Sequence, residues 1–140
     1  MAGHMKGDII LKMKAFISIV IVIVLCFSIL WVATPKKINA SKVINLVQSN
    51  YKSITINDKY IEAGTNKQYL IDDFIPRLSS YTIKIYNGEL PENHSYKVDI
   101  KSKDGSIITL LDNDYLIINN DKYKILDGII DLSRFYSFIY

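Results

Sequence analysis

YKVDIKSKDGSIITLLDNDYLIINNDKYKIL, residues 96–126, decides how the chain folds. Along SYKVDIKSK (95–103), Tyr96, Val98 and Ile100 alternate with Lys97, Asp99 and Lys101, the period-two pattern of a strand with one wet face. Asp104-Gly105 is the strongest turn signal in the chain, and IITLLD (107–112) returns as the partner strand. Asn113-Asp114 turns again, YLIIN (115–119) runs on, and Asn120-Asp121 leads into KYKIL (122–126). Four strands joined by two- or three-residue turns predict an antiparallel meander whose polar face can stay solvated. The Asp104-Gly105 turn is expected to need positive φ at both central positions.

Working outward, YTIKIYN (81–87) reads as a further strand, followed by a loop over Gly88–Asn93. YKSITI (51–56) and KYIEA (59–63) read as a hairpin about Asn57-Asp58. In KQYLIDDFIPRLSS (67–80), Leu70, Ile71, Phe74, Ile75 and Leu78 form one helical stripe. Pro76 conflicts with it, and predicts a kink at Phe74-Ile75 or an end there. SKVINLVQS (41–49), opened by a Ser that can cap, predicts a short helix. Leu132, Phe135, Tyr136 and Ile139 fall at helical spacing and predict a closing helix. The expected fold class is α+β: an N-terminal transmembrane helix, then a small antiparallel β-meander sheet packed by two or three helices.

AFISIVIVIVLCFSILWVA (15–33) contains nineteen residues and no charge. As a helix it spans about 28 Å, close to a ~30 Å hydrocarbon core, and Trp31 sits where indole rings prefer the interface. The organisation expected is a tail at 1–14 with Ala2-Gly3-His4-Met5 resembling a cloning scar, a transmembrane helix or signal sequence at 15–33, a linker at 34–40, and an extracytoplasmic domain at 41–140. Met5 or Met13 are alternative starts. A signal-peptide reading places cleavage after Ile38-Asn39-Ala40 and yields a secreted product; an anchor reading keeps a single-pass membrane protein with its domain outside. Cys26 follows Leu25 rather than a small residue, and Ala15-Phe16 lacks the pilin-type Glu because Val20 stands in its place. Lipidation and pilin processing are therefore set aside.

Charge is divided along the chain. Residues 1–40 carry five lysines against Asp8, whereas residues 41–140 carry twelve cations against thirteen acids. The domain has no basic run, which argues against a nucleic-acid partner. One cysteine excludes an internal disulfide and a Cys-based zinc site. All ten tyrosines lie in 41–140, a residue favoured both in strands and on binding surfaces.

The sequence carries no Gly-rich phosphate loop, zinc-helix, nucleophile-elbow or CxxC motif. Asp72-Asp73 project about 100° apart on a helix and read as a solvated face. His94 stands beside Glu92 and Ser95 in a loop, without further support for a triad. Asp112-Asn113-Asp114 and Asn119-Asn120-Asp121 lack the ligand spacing of a calcium loop and read as hairpin turns. Asn39-Ala40-Ser41 and Asn93-His94-Ser95 match the glycosylation sequon only formally.

The arrangement resembles the small secreted or membrane-anchored proteins of unknown function found in low-GC Gram-positive bacteria. The similarity lies in the Lys-rich strand, Asp-Gly, apolar strand and K-Y-x-I strand of residues 96–126, and extends over about 50–130. It implies a fold and a compartment, and lends no functional residues. Many members carry a lipobox, which this chain lacks.

The expectation is thus a non-catalytic protein- or peptide-binding module at the cell envelope, tethered through residues 15–33, with no catalytic, cofactor-binding or metal-binding residues assigned. An immunity or inhibitor protein protecting the envelope and a small cell-surface enzyme are the alternatives.

Overall fold

The computed structural model describes residues 2–33 and 36–139. They fall into two compact units, Met1–Pro35 and Lys36–Tyr140.

The first unit is one helix, α1 (Ala2–Ala33), of 32 residues. The helical stretch Lys6–Trp31 has a mean hydropathy of 2.7 in its most apolar window, long and apolar enough to cross a membrane or serve as a signal sequence. The Ser18 and Ser28 hydroxyls donate to the carbonyls of Lys14 (3.0 Å) and Val24 (2.8 Å), so both polar groups inside the apolar stretch are satisfied by their own helix. The expected tail at 1–14 is helical from Ala2 and continuous with the apolar segment.

The second unit is an α+β fold. Its strands are β1 (Ile38–Asn39), β2 (Tyr51–Ile56), β3 (Lys59–Glu62), β4 (Thr82–Ile85), β5 (Lys97–Ser102), β6 (Ile107–Leu111), β7 (Tyr115–Ile118) and β8 (Asp121–Asp127). Helix α2 (Gln68–Arg77) links β3 to β4, and α3 (Leu132–Phe138) follows β8. All pairings are antiparallel, in the order β1-β4-β8-β7-β6-β5-β2-β3. The expected meander, β5 to β8, forms the middle of the sheet. The β2–β3 hairpin extends it beyond β5, and β4 with β1 extends it beyond β8.

Strand alternation sends Ile54, Ile56, Ile61, Ile83, Val98, Ile100, Ile108, Leu110, Leu116 and Ile125 to one face, where all are buried. The α2 stripe of Leu70, Ile71, Phe74 and Ile75 joins them in one core with Leu132 and Phe135 of α3. Phe74 and Phe135 meet edge to face with centroids 5.0 Å apart, a contact worth about 0.5–1.5 kcal/mol beyond burial. Among the described residues no buried side-chain nitrogen or oxygen lacks a hydrogen-bond partner.

Four local expectations are corrected. The helix expected over 41–49 is replaced by 3-10 turns at Ala40–Lys42 and Gln48–Asn50, because the Asn45 side chain accepts the Val47 N–H and competes with helical bonding. Pro76 does not end α2 at Phe74-Ile75. The helix runs to Arg77 and tightens into a 3-10 turn at Leu78–Ser80, so the one helical bond that Pro76 cannot donate, to the Asp72 carbonyl, is lost in the last turn. The β5–β6 connection pairs Lys101 with Ile107 and closes with the Ser102 N–H on the Ser106 carbonyl, giving a three-residue loop, Lys103-Asp104-Gly105. In it only Gly105, at φ +91°, needs the left-handed region. The β7–β8 turn is Asn119-Asn120, one residue earlier than expected, because Ile118 pairs with Asp121.

The linker expected at 34–40 is also shorter. Ile38 pairs with Ile83, the Ala40 N–H donates to the Tyr81 carbonyl at 3.0 Å, and Ala40 is fully buried.

Candidate functional site

The face of the sheet turned away from α2 and α3 is the strongest candidate surface. Register places Tyr60, Thr55, Asp99, Thr109, Ile117, Lys122 and Tyr86 in one row across β3, β2, β5, β6, β7, β8 and the end of β4. A second row holds Lys97, Leu111, Tyr115, Lys124 and Lys84. Lys101 and Ile107 begin a third.

Two chemical rules produce this surface. Acids are drawn into turns, where a short carboxylate can bond nearby N–H groups. Asp104 and Asp112 do so, the latter accepting the Tyr96 N–H at 2.8 Å. Outward strand positions keep the lysines 84, 97, 101, 122 and 124, against Asp99, Asp127 opposite Thr82, and the edge residue Glu62. A domain near neutral overall therefore has one basic face. Asp99 is engaged by the Thr109 hydroxyl at 2.7 Å and lies 4.0 Å from Lys97. Lys122 donates to the Gly88 carbonyl at 2.6 Å. Among the described residues, Lys84, Lys101 and Lys124 have no acidic partner within ion-pair distance.

Aromatic groups share the face. Tyr86 and Tyr115 rings lie 5.0 Å apart at 53°, and the Tyr86 hydroxyl donates to the Glu89 carbonyl at 2.8 Å. A Cβ at Gly88 would meet that hydroxyl, so glycine is what lets the ring settle there. Tyr60 is exposed at the β3 edge.

Two cavities lie elsewhere on the domain. One of about 410 Å³ lies among Ile44, Tyr51, Asp104, Ser106, Ile108 and Asn119. Its single acid, Asp104, is held down to about pKa 2, first by the Ser102 hydroxyl and then by the Ser106 N–H. Burial, followed by the Asp104 charge, pushes the Tyr51 hydroxyl up, and it donates to the Asn45 carbonyl. These groups answer one another, as turn chemistry does. The other, about 320 Å³, runs between α2 and α3 past Tyr69, Asp73, Arg77, Arg134, Phe135 and Phe138. There Arg77 is already paired with Asp73 at 3.0 Å.

Asp72 accepts from Gln68 (3.0 Å) and Asp73 from Arg77, so the two carboxylates serve different neighbours. Glu92, His94 and Ser95 are exposed, and the Ser95 N–H bonds Asp112 instead. Asn113 does more than turn the chain. Its Oδ1 accepts the Tyr81 hydroxyl (2.5 Å) and the Ile130 N–H (2.8 Å), and its Nδ2 donates to the Ile130 carbonyl (3.1 Å). Asn57, Asp112 and Asn119 adopt positive φ, and each side-chain oxygen takes an N–H across the sheet. Turn composition pointed to these positions but not to their distant partners. Asn39 is occupied too, donating to the Ser79 carbonyl at 2.8 Å, so its sequon amide serves the fold. Among the described residues no group of three or more His, Cys, Asp or Glu is placed to hold a metal. The chain matches no family model, no curated protein and no solved structure.

Proposed function

We propose that this chain is a non-catalytic protein- or peptide-binding module of the cell envelope, anchored through residues 15–33, with its α+β unit outside and the uncovered sheet face as its contact surface. The observation that carries the reading is the composition of that face. Among the described residues, lysines without acidic partners share the face with Tyr60, the Tyr86–Tyr115 pair and Ile107, which is 43% exposed. Tyrosines and partly exposed aliphatics among charges are what binding surfaces use, because they offer contact area at little entropic cost.

A retained anchor is favoured over cleavage by the role of residues 38–40. A cut before Ser41 removes β1 from the sheet edge and Ala40 from the core.

The test places a photoreactive amino acid at Ile117 on the sheet face, and separately at Tyr69 on α2, in full-length protein in its own membranes. Crosslinks to a protein or peptide from position 117 and not from 69 support the reading. Crosslinks only from 69, or from neither, overturn it. A phosphatase fused after Tyr140 reports the side of the membrane, and activity outside the cell is expected.

A further inference from the structure

The two central strands depart from the alternation that the rest of the sheet obeys. IITLL of β6 turns Ile108 and Leu110 into the core, yet turns Ile107, which stays exposed, and Leu111, which is already buried, to the other face with only Thr109 between them. YLII of β7 buries Leu116 and presents Tyr115 and Ile117 on the other face. Strands that are apolar on both sides are characteristic of sheets covered on both faces. Here the described helices of the domain, α2 and α3, pack into a single core on one face.

The lysines frame this apolar strip. Lys97 and Lys101 stand on β5 along one side, with Asp99 between them; Lys122 and Lys124 on β8, with Lys84 on β4 behind them, stand along the other. From β5 to β8 is three strand spacings, about 14 Å, and the strip runs the length of a five-residue strand, about 17 Å. An α-helix is about 10–12 Å across, and about 11 residues of it cover 17 Å. An amphipathic helix whose apolar stripe is flanked on both sides by Asp or Glu matches the strip in width, length and charge. A second copy of this face would set lysines against lysines and is disfavoured.

We infer that the uncovered face receives an acidic amphipathic helix of a partner protein, which lies on β6 and β7 between the two lysine columns and completes a three-layer α/β/α sandwich. The inference rests on the reading of this face as the contact surface, and adds the partner's chemistry and shape.

The experiment selects a random-sequence peptide library on the full chain in lipid nanodiscs, with counter-selection on a variant carrying Lys84→Gln, Lys97→Gln, Lys101→Gln and Lys124→Gln. These positions lie on the outer face, and circular dichroism verifies that the variant is folded. Expected winners have apolar residues at i, i+3, i+4 and i+7 flanked by Asp or Glu. A synthetic winner should bind the quadruple variant about tenfold more weakly, since each exposed charge pair is worth up to a few-fold. It should weaken with salt, and crosslink to a photoreactive residue at Ile117. Winners without acids, winners with strand-like alternation, or equal binding by a scrambled winner or by inorganic polyphosphate overturn the helix. Extended winners that crosslink at 117 leave peptide binding by this face standing. An empty selection, or winners that never crosslink there, removes both readings.

Discussion

Leu116 and Ile117 are neighbours on β7, and they live in different environments. Leu116 is fully buried on the helix side, paired across the sheet with Leu110 and Tyr123. Ile117 is half-buried on the other side, between Thr109 and Lys122. The inner residue is fixed by packing, so its identity reports stability. The outer residue lies between Thr109 and Lys122, with Tyr115 two residues before it on the same face, and no helix of the domain packs on that side, so its hydrophobicity has no comparable structural use. That difference is the reason for assigning contact to the outer face.

The largest expected effect separates the two faces directly. Leu116→Ala should cost about 2–5 kcal/mol in chemical denaturation, the range for truncating a buried leucine. Ile117→Ala should cost under about 1 kcal/mol, because most of what it loses was already partly hydrated. Equal losses would mean that the outer face is a second core, and would break the comparison.

The next effect sharpens where the domain begins. A fragment starting at Lys36 retains β1 and Ala40, and one starting at Ser41 loses both. The shorter fragment should be less stable by about 2–4 kcal/mol, from one buried alanine, part of an isoleucine and the edge hydrogen bonds. Identical melting points would restore the boundary at residue 41 and a linker over 34–40.

Gly105→Val probes a turn that belongs to neither face. A side chain there meets nothing within 4 Å, so the cost is backbone strain alone, about 1–3 kcal/mol for a β-branched residue at φ +91°. No change in the thermal midpoint would mean that the loop is free to take another conformation.

What could be read without coordinates follows from the range of the interactions. The hairpins, the α2 stripe and the closing helix rest on neighbours within a few residues, and alternation or Asp-Gly announces them. The segment 41–49 deceived because its apolar spacing is helical while Asn45 bonds the backbone locally. β1 was invisible because two residues carry no periodicity. Ile38-Asn39 becomes a strand only when β4 lies beside it, forty-odd residues on. The Asn113 bonds to Tyr81 and Ile130 are of the same long-range kind. The basic face was hidden for a related reason: its lysines alternate within strands and are scattered between them, so no run exists to be noticed. Only the order β4-β8-β7-β6-β5 gathers them.

The smallest effect concerns the carboxylate in the Lys103-Asp104-Gly105 loop. Asp104 accepts from the Ser102 hydroxyl and from the Ser106 N–H at 2.9 Å, and these bonds hold its pKa down to about 2 from an ordinary 3.8. A carboxylate whose pKa is lower in the folded state binds fewer protons there than in the unfolded chain. Its contribution to stability is therefore complete above about pH 4 and fades as the pH falls through about 2. Asp104 is fully exposed to solvent, so the contribution is small. Carboxyl-carbon NMR should show Asp104 titrating well below the ordinary 3.8, and Ser102→Ala should move it back towards that value. The stability gap between the native chain and Asp104→Ala should narrow between pH 4 and pH 2 and stay flat above. An Asp104 that titrates near 4 in the native chain would mean that Ser102 and Ser106 do not hold it, and the turn between β5 and β6 would need another explanation.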